Sequence, residues 1–201
     1  MSDALARRRA ARACVRLLRQ HLGRGRHRHC RNTAALAARL ARRFGAVAGE
    51  AYLAGLAHDL ARELPEGELL RLAGSDGGPI RAWEAERPVL LHGKAAAVLL
   101  AAAEGFGAEV REAVADHVTG RPGMSALAKI VYVADYLEPG RGFLMASVRR
   151  RVLALGLDEQ TAWVTERVAE HLRREDLAIA PPALALYEEL KGHAATQAKM
   201  G

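Results

Sequence analysis

Aromatic side chains are scarce in this chain, at 4% of its 201 residues, so leucine, alanine and valine must fill the core. Cysteine is scarcer still, with Cys14 and Cys30 alone. Their number and spacing exclude a disulfide framework, a zinc ribbon and a CxxC redox motif. Both are read as reduced thiols of a cytoplasmic protein. No apolar run reaches the roughly 20 residues of a membrane span. The N-terminus lacks the continuous apolar core of a secretory signal. Its Arg-rich, acid-poor composition overlaps with that of organellar transit peptides, but we read it as a basic amphipathic helix of the mature protein. No segment alternates as a strand would, and no internal repeat is visible.

What is present is a globular composition: 50% apolar and 26% charged residues. The length suits one helical domain with a proper core. The net charge of +7 favours anionic partners, either a nucleotide polyphosphate or nucleic acid. Much of the excess is early, in Arg7, Arg8, Arg9, Arg12, Arg16, Arg19, Arg24, Arg26, Arg28 and Arg31. No base-stacking aromatics accompany these arginines, which counts against a single-strand nucleic-acid binder.

Apolar residues recur at helical spacing nearly everywhere. Helices are expected over about 4–22, 29–44, 50–62, 66–73, 88–104, 108–118, 125–137, 145–155, 158–175 and 181–191. Gly23 and Gly45 mark stops, Ser125 a cap, and residues 74–79 a loop. The fold class is all-α, a single-domain helical bundle. The expected organisation is a basic helix at 1–24 packed on the domain, a domain at 25–191, and a flexible tail at 192–201.

Histidines that bind metal in a bundle should fall on apolar stripes, pointing inward. His29 shares a stripe with Leu36 and Leu40, and His58 follows Ala51 and Ala54. His92 precedes Ala95, Ala96 and Leu99, and His117 completes Val110, Ala113 and Val114. Asp135 interrupts the apolar run 130–134, where a charge is costly to bury unless it is paired or binds metal. Asp59 lies one turn after Gly55, which is expected to leave space beside it. One such histidine alone is more often a hydrogen-bonded core residue; four on four helices with two aspartates point to a metal site. Imidazole and carboxylate without thiolate suit Fe, Mn, Zn, Co or Ni. A cation with open positions would generate hydroxide at neutral pH, and Asp59, with two oxygens, is the natural bridge between two ions. Arg62, Lys94, Thr119 and Arg121 lie close in sequence to these residues and would suit a polyphosphate cradle.

These residues resemble a known pattern. His29, then Ala57-His58-Asp59-Leu60-Ala61-Arg62, then Asp135 resembles the HD-domain metal-dependent phosphohydrolases. Leu90-Leu91-His92-Gly93-Lys94-Ala95, the stretch Asp116-His117-Val118-Thr119-Gly120-Arg121-Pro122-Gly123-Met124-Ser125 and the run Lys129 to Arg141 are similar to the YqeK family of bacterial symmetrical bis(5'-nucleosyl)-tetraphosphatases. The likeness covers roughly residues 15–190. It implies an HD-type bundle with two transition-metal ions, iron foremost. One would be held by His29, His58, Asp59 and Asp135, the other by His92 and His117, with Asp59 shared. It implies catalytic roles for Asp59 and His58, phosphate binding by Arg62, Lys94, Thr119 and Arg121, and hydrolysis of diadenosine tetraphosphate to two ADP by a metal-bound hydroxide. His27, Cys30 and the stretch Gly142-Phe143-Leu144-Met145 depart from that family's usual residues. The alternatives are another nucleotide substrate of an HD hydrolase (a nucleoside triphosphate, an alarmone or a cyclic nucleotide) and a nucleic-acid-binding helical protein. A homodimer is also an expectation.

Overall fold

The structure, a computed structural model, describes residues 3–75 and 78–200. Met1, Ser2, Gly201 and, within the expected loop, Asp76 and Gly77 lie outside the described residues. Among the described residues the chain is entirely helix and turn. In order come α1 (Asp3–His21), α2 (Arg24–Phe44), α3 (Ala48–Ala57), α4 (Glu66–Ala73) and α5 (Ala82–Glu86). A 3-10 turn at Pro88–Leu91 leads into α6 (His92–Ala101), then α7 (Ala108–Asp116), α8 (Ala126–Leu137), α9 (Ala146–Ala154), α10 (Leu157–Arg174) and α11 (Pro181–Met200). No helix among them is long and apolar enough to cross a membrane.

Helices α3 and α8 are the buried centre. α3 packs against α1, α2, α7 and α8. Six of its residues, Ala51, Leu53, Ala54, Gly55, Leu56 and Ala57, are buried, as a helix apolar nearly all round requires. α8 is similarly enclosed by α2, α7 and α10. It starts where the Ser125 hydroxyl accepts from the Ala128 amide at 3.2 Å. α1 lays Ala10, Cys14 and Leu18 into the core and leaves Arg8, Arg12, Arg16 and Arg19 exposed.

Several boundaries differ from the sequence expectation. α2 begins at Arg24, not near residue 29, so Arg26 and His29 share one helix. α3 ends at Ala57, and residues 58–64 continue as tighter turns closed by bonds such as Arg62 N to Asp59 O, 2.9 Å. The single helix expected over 88–104 is the 3-10 turn followed by α6. The short α5, which was not foreseen, precedes it. The last helix runs past Gly192 to Met200.

Candidate metal centre

The residues expected to form the site come together from elements far apart in sequence. His29 stands on α2, His58 and Asp59 directly after α3, His92 at the start of α6, His117 directly after α7, and Asp135 in the last turn of α8. His58, Asp59, His92 and His117 are buried.

Helix ends explain how three of the four rings are held. The last carbonyls of a helix have no intrahelical partner. His58 Nδ1 meets Gly55 O at 2.8 Å, His92 Nδ1 meets Val89 O at 2.6 Å, and His117 Nδ1 meets Val114 O at 2.7 Å. Each histidine thus donates to the carbonyl three residues before it, at the end of α3, of the 3-10 turn and of α7. His58 and His117 directly follow helix ends, and His92 stands at the join of the 3-10 turn and α6, whereas the sequence places all three inside longer helices. His29, in mid-helix, is anchored instead by Glu138, with Nδ1 at 3.1 Å from Oε1. Glu138 is buried, and its other oxygen accepts from Asn32 and from the Gly140 amide.

With every Nδ1 used as a donor outward, every Nε2 presents a lone pair inward. The Nε2 atoms face one another in pairs, His29 with His58 at 3.1 Å and His92 with His117 at 3.1 Å. Two lone pairs at that separation need a shared electrophile, a proton or a metal ion.

Asp59 lies between the pairs. Its Oδ2 is 3.5 Å from His58 Nε2 and 3.7 Å from His29 Nε2. Its Oδ1 is 3.2 Å from His92 Nε2 and 3.8 Å from His117 Nε2. Asp135 lies closest to the first pair, with Oδ1 at 2.8 Å from His29 Nε2 and 3.5 Å from His58 Nε2, and within 4.8 Å of His117. The donor atoms group as His29, His58 and Asp59, as His58, His117 and Asp135, and as Asp59, His92 and His117, each group within 4.8 Å. An all-imidazole and carboxylate set fits a divalent transition metal.

The electrostatics agree. Burial would raise the Asp59 carboxyl, but the charges and hydrogen bonds of His58, His117 and His92 hold it well below the usual carboxylate range. Asp135 is held low in the same way by His29, His58 and Arg141 against its burial. Burial would lower His29 and His58; the neighbouring carboxylates outweigh it and raise both. His92, where burial prevails, is lowered. Both aspartates are therefore ionised at neutral pH, the state a ligand needs.

Two glycines make the pairs possible. A Cβ on Gly55 would lie 2.9 Å from Ala34 Cα, so α2 fills the space expected beside Asp59. A Cβ on Gly93 would lie 2.8 Å from the carbonyl oxygens of Val114 and Ala115 on α7. Gly55 thus draws together the elements bearing His29 and His58, and Gly93 those bearing His92 and His117.

The four expected phosphate-binding residues have varied surroundings. Lys94 Nζ pairs with the buried Glu84 at 2.5 Å. Arg121 pairs with Glu112 and, at 2.9 Å, with Asp116. The Thr119 hydroxyl donates to Gly120 O at 3.1 Å. Arg62 is half-buried and makes no ion pair among the described residues. Two cations that sequence reasoning did not assign contact Asp59 and Asp135 directly. Arg26 Nη1 is 3.0 Å from Asp59 Oδ2, and Arg141 Nη2 is 2.5 Å from Asp135 Oδ1. With His29, Glu63 and Glu138 they line an open cleft of about 410 Å³ at the edge of the cluster. Arg26, three residues before His29 on α2, carried a usable signal; Arg141 and Glu138, in the turn after α8, lie in the run that resembles the YqeK family, but no local spacing gave them a role.

Comparison with known proteins gives the family and the fold. The HD domain family model matches residues 26–140. The symmetrical bis(5'-nucleosyl)-tetraphosphatase of Bacillus subtilis is 30% identical over 179 residues, covering 89% of this chain and 94% of that protein. The protein of the same name from Halalkalibacterium halodurans is 30% identical over 183 residues, covering 88% and 94%. A crystal structure from Clostridium acetobutylicum, of a "predicted HD superfamily hydrolase involved in NAD metabolism", superposes with a TM-score of 0.84 at 27% identity, covering 90% of this chain and 96% of that one.

Proposed function

Since this chain belongs to the HD-domain family, we propose that it is a metal-dependent phosphoric anhydride hydrolase that cleaves dinucleoside polyphosphates symmetrically, taking diadenosine tetraphosphate to two ADP. The observation that carries this reading is the division of Asp59: Oδ2 faces His29 and His58, and Oδ1 faces His92 and His117. That division supports two cation positions, one that His29, His58, Asp59 and Asp135 would hold and one that His92, His117 and Asp59 would hold. Iron is the proposed metal, with manganese, zinc, cobalt and nickel compatible with the same donors. Such ions, when bound, lower the pKa of water and neutralise phosphate charge.

The chain's own residues supply the rest. Asp59 and His58 sit where the two halves of the site meet and keep the reacting groups in register. Water adds to one inner phosphorus and gives up its protons to solvent, the bond from that phosphorus to the central bridging oxygen breaks, and the electron pair leaves with the second ADP. Arg26 and Arg141, at the cleft, are placed to balance the charge that builds on the departing phosphates. Arg62, Lys94, Thr119 and Arg121 are proposed to hold the outer phosphates and the nucleotide beyond them. The basic surface makes a polyphosphate the fitting partner, and a homodimer is the proposed assembly.

Product analysis on a small nucleotide panel, with iron, manganese and zinc in turn, tests the reading. Diadenosine tetraphosphate should yield ADP alone; AMP with ATP would mean a different bond is cut and would overturn symmetrical cleavage. Asp59→Ala should lower turnover by at least roughly a thousandfold, about 4 kcal/mol of barrier, while the helical circular-dichroism signal stays.

A further inference from the structure

Aromatic side chains are rare here, yet three of them meet beside the metal cluster. The Phe143 ring packs edge-on against Tyr136, with centroids 5.3 Å apart, and Tyr136 against Trp163 at 6.0 Å. Tyr136 directly follows the ligand Asp135 in sequence. Arg141 joins the cluster to the metal centre: its guanidinium contacts Asp135 at 2.5 Å and His29 Nε2 at 3.4 Å, and its central carbon lies 6.0 Å from the Phe143 centroid.

Phe143 itself is 63% exposed, whereas Tyr136 and Trp163 are half-buried. Its turn is tied down rather than loose. Arg149 donates to Arg141 O at 3.0 Å and to Leu144 O at 3.3 Å, and Glu138 accepts from the Gly140 amide. A large apolar ring held open to solvent on an anchored turn is a face without an occupant. The occupant must be flat and apolar on its face, and must share the ring with the Arg141 guanidinium, whose central carbon lies over it at 6.0 Å from the centroid. A nucleobase has that chemistry, and aromatic–base stacking accepts any base because each has a π-face.

We infer that Phe143, backed by Tyr136 and flanked by Arg141, is the stacking platform for one nucleobase of a nucleotide whose phosphates lie at the metal cluster. The inference rests on the hydrolase reading above and adds a base subsite to it. It makes the turn after α8 the element that favours a nucleotide over a plain polyphosphate, since pyrophosphate can use Arg141 but not the ring.

Calorimetric titration of the metal-loaded full chain with ADP and with inorganic pyrophosphate separates the two contributions. Phe143→Ala should weaken ADP binding roughly tenfold, the order that loss of one aromatic–base stack produces, and leave pyrophosphate within about twofold. Phe143→Tyr should restore ADP binding to within about threefold. Equal weakening of both ligands, or of neither, overturns the platform. So does an unchanged ADP affinity combined with loss of a dimer in sedimentation, which would assign the exposed ring to a second copy of the chain. Wild-type protein that binds ADP through Phe143 but does not cleave diadenosine tetraphosphate would overturn the hydrolase reading and leave the base subsite standing.

Discussion

Glu138 shows how much of this site depends on a residue that touches no reacting group. It holds His29 Nδ1 at 3.1 Å and is itself held by Asn32 and the Gly140 amide. Burial would raise its carboxyl, but these hydrogen bonds keep it below the usual range, so it stays an acceptor. Glu138→Gln should retain most metal binding by keeping an acceptor oxygen. Glu138→Ala, which frees the His29 ring, should weaken metal affinity by about 10- to 100-fold, read by competition with a metallochromic chelator. The two cysteines behave oppositely to catalytic thiols. Burial pushes Cys14 from the ordinary value of 9.0 up to about 12, and Cys30 is raised as well. Neither should react with a thiol reagent at pH 8 until the chain is unfolded. A thiol whose pKa is higher in the folded state favours folding below its unfolded value. Stability should therefore fall as pH rises above about 9 and continue falling toward 12, measured as a shrinking denaturation midpoint.

At the scale of elements, the site consists of two helix pairs closed by glycine. Gly55 lets α3 touch the backbone of α2, and Gly93 lets α6 touch that of α7. A methyl group at either position meets backbone atoms, which cannot swing aside as a side chain can. Gly93→Ala should cost about 1–3 kcal/mol of stability, as overpacking does, and should separate His92 from His117 while sparing the His29 and His58 pair. Metal analysis of that variant should then show one ion retained where the wild type is expected to hold two. A variant that still holds two would remove Gly93 from the account. Gly55→Ala should do the reverse. The sequence had suggested Gly55 as open space beside Asp59. Helix positions along one segment are legible from spacing, but what lies opposite a glycine depends on a second helix.

For the whole molecule, the candidate metal centre joins segments from residue 29 to residue 135. Ions that bind only the folded state stabilise it by mass action, about 2.7 kcal/mol at a hundredfold excess over Kd. For a domain this size each kcal/mol moves Tm by about 2–4 °C. Stripping the protein with a strong chelator should therefore lower Tm by roughly 5–10 °C, and adding back manganese or iron should restore it. A Tm insensitive to chelation would argue against any ligand set that spans the core.

The sequence by itself determined the helical class and most helix positions, and it singled out His29, His58, Asp59, His92, His117 and Asp135, which the fold gathers into one cluster, because polar groups on apolar stripes stand out against a local period. Tertiary structure decided the rest. It turned one Asp59 oxygen toward each histidine pair, brought Glu138 to His29 across 109 positions, and put Arg26 and Arg141 beside Asp59 and Asp135 while Lys94 and Arg121 pair with carboxylates. The physical reason is range. Periodicity reports which side of its own helix a residue occupies, whereas hydrogen-bond and ion-pair partners are chosen by how distant helices pack, and nothing in a single segment records its neighbour.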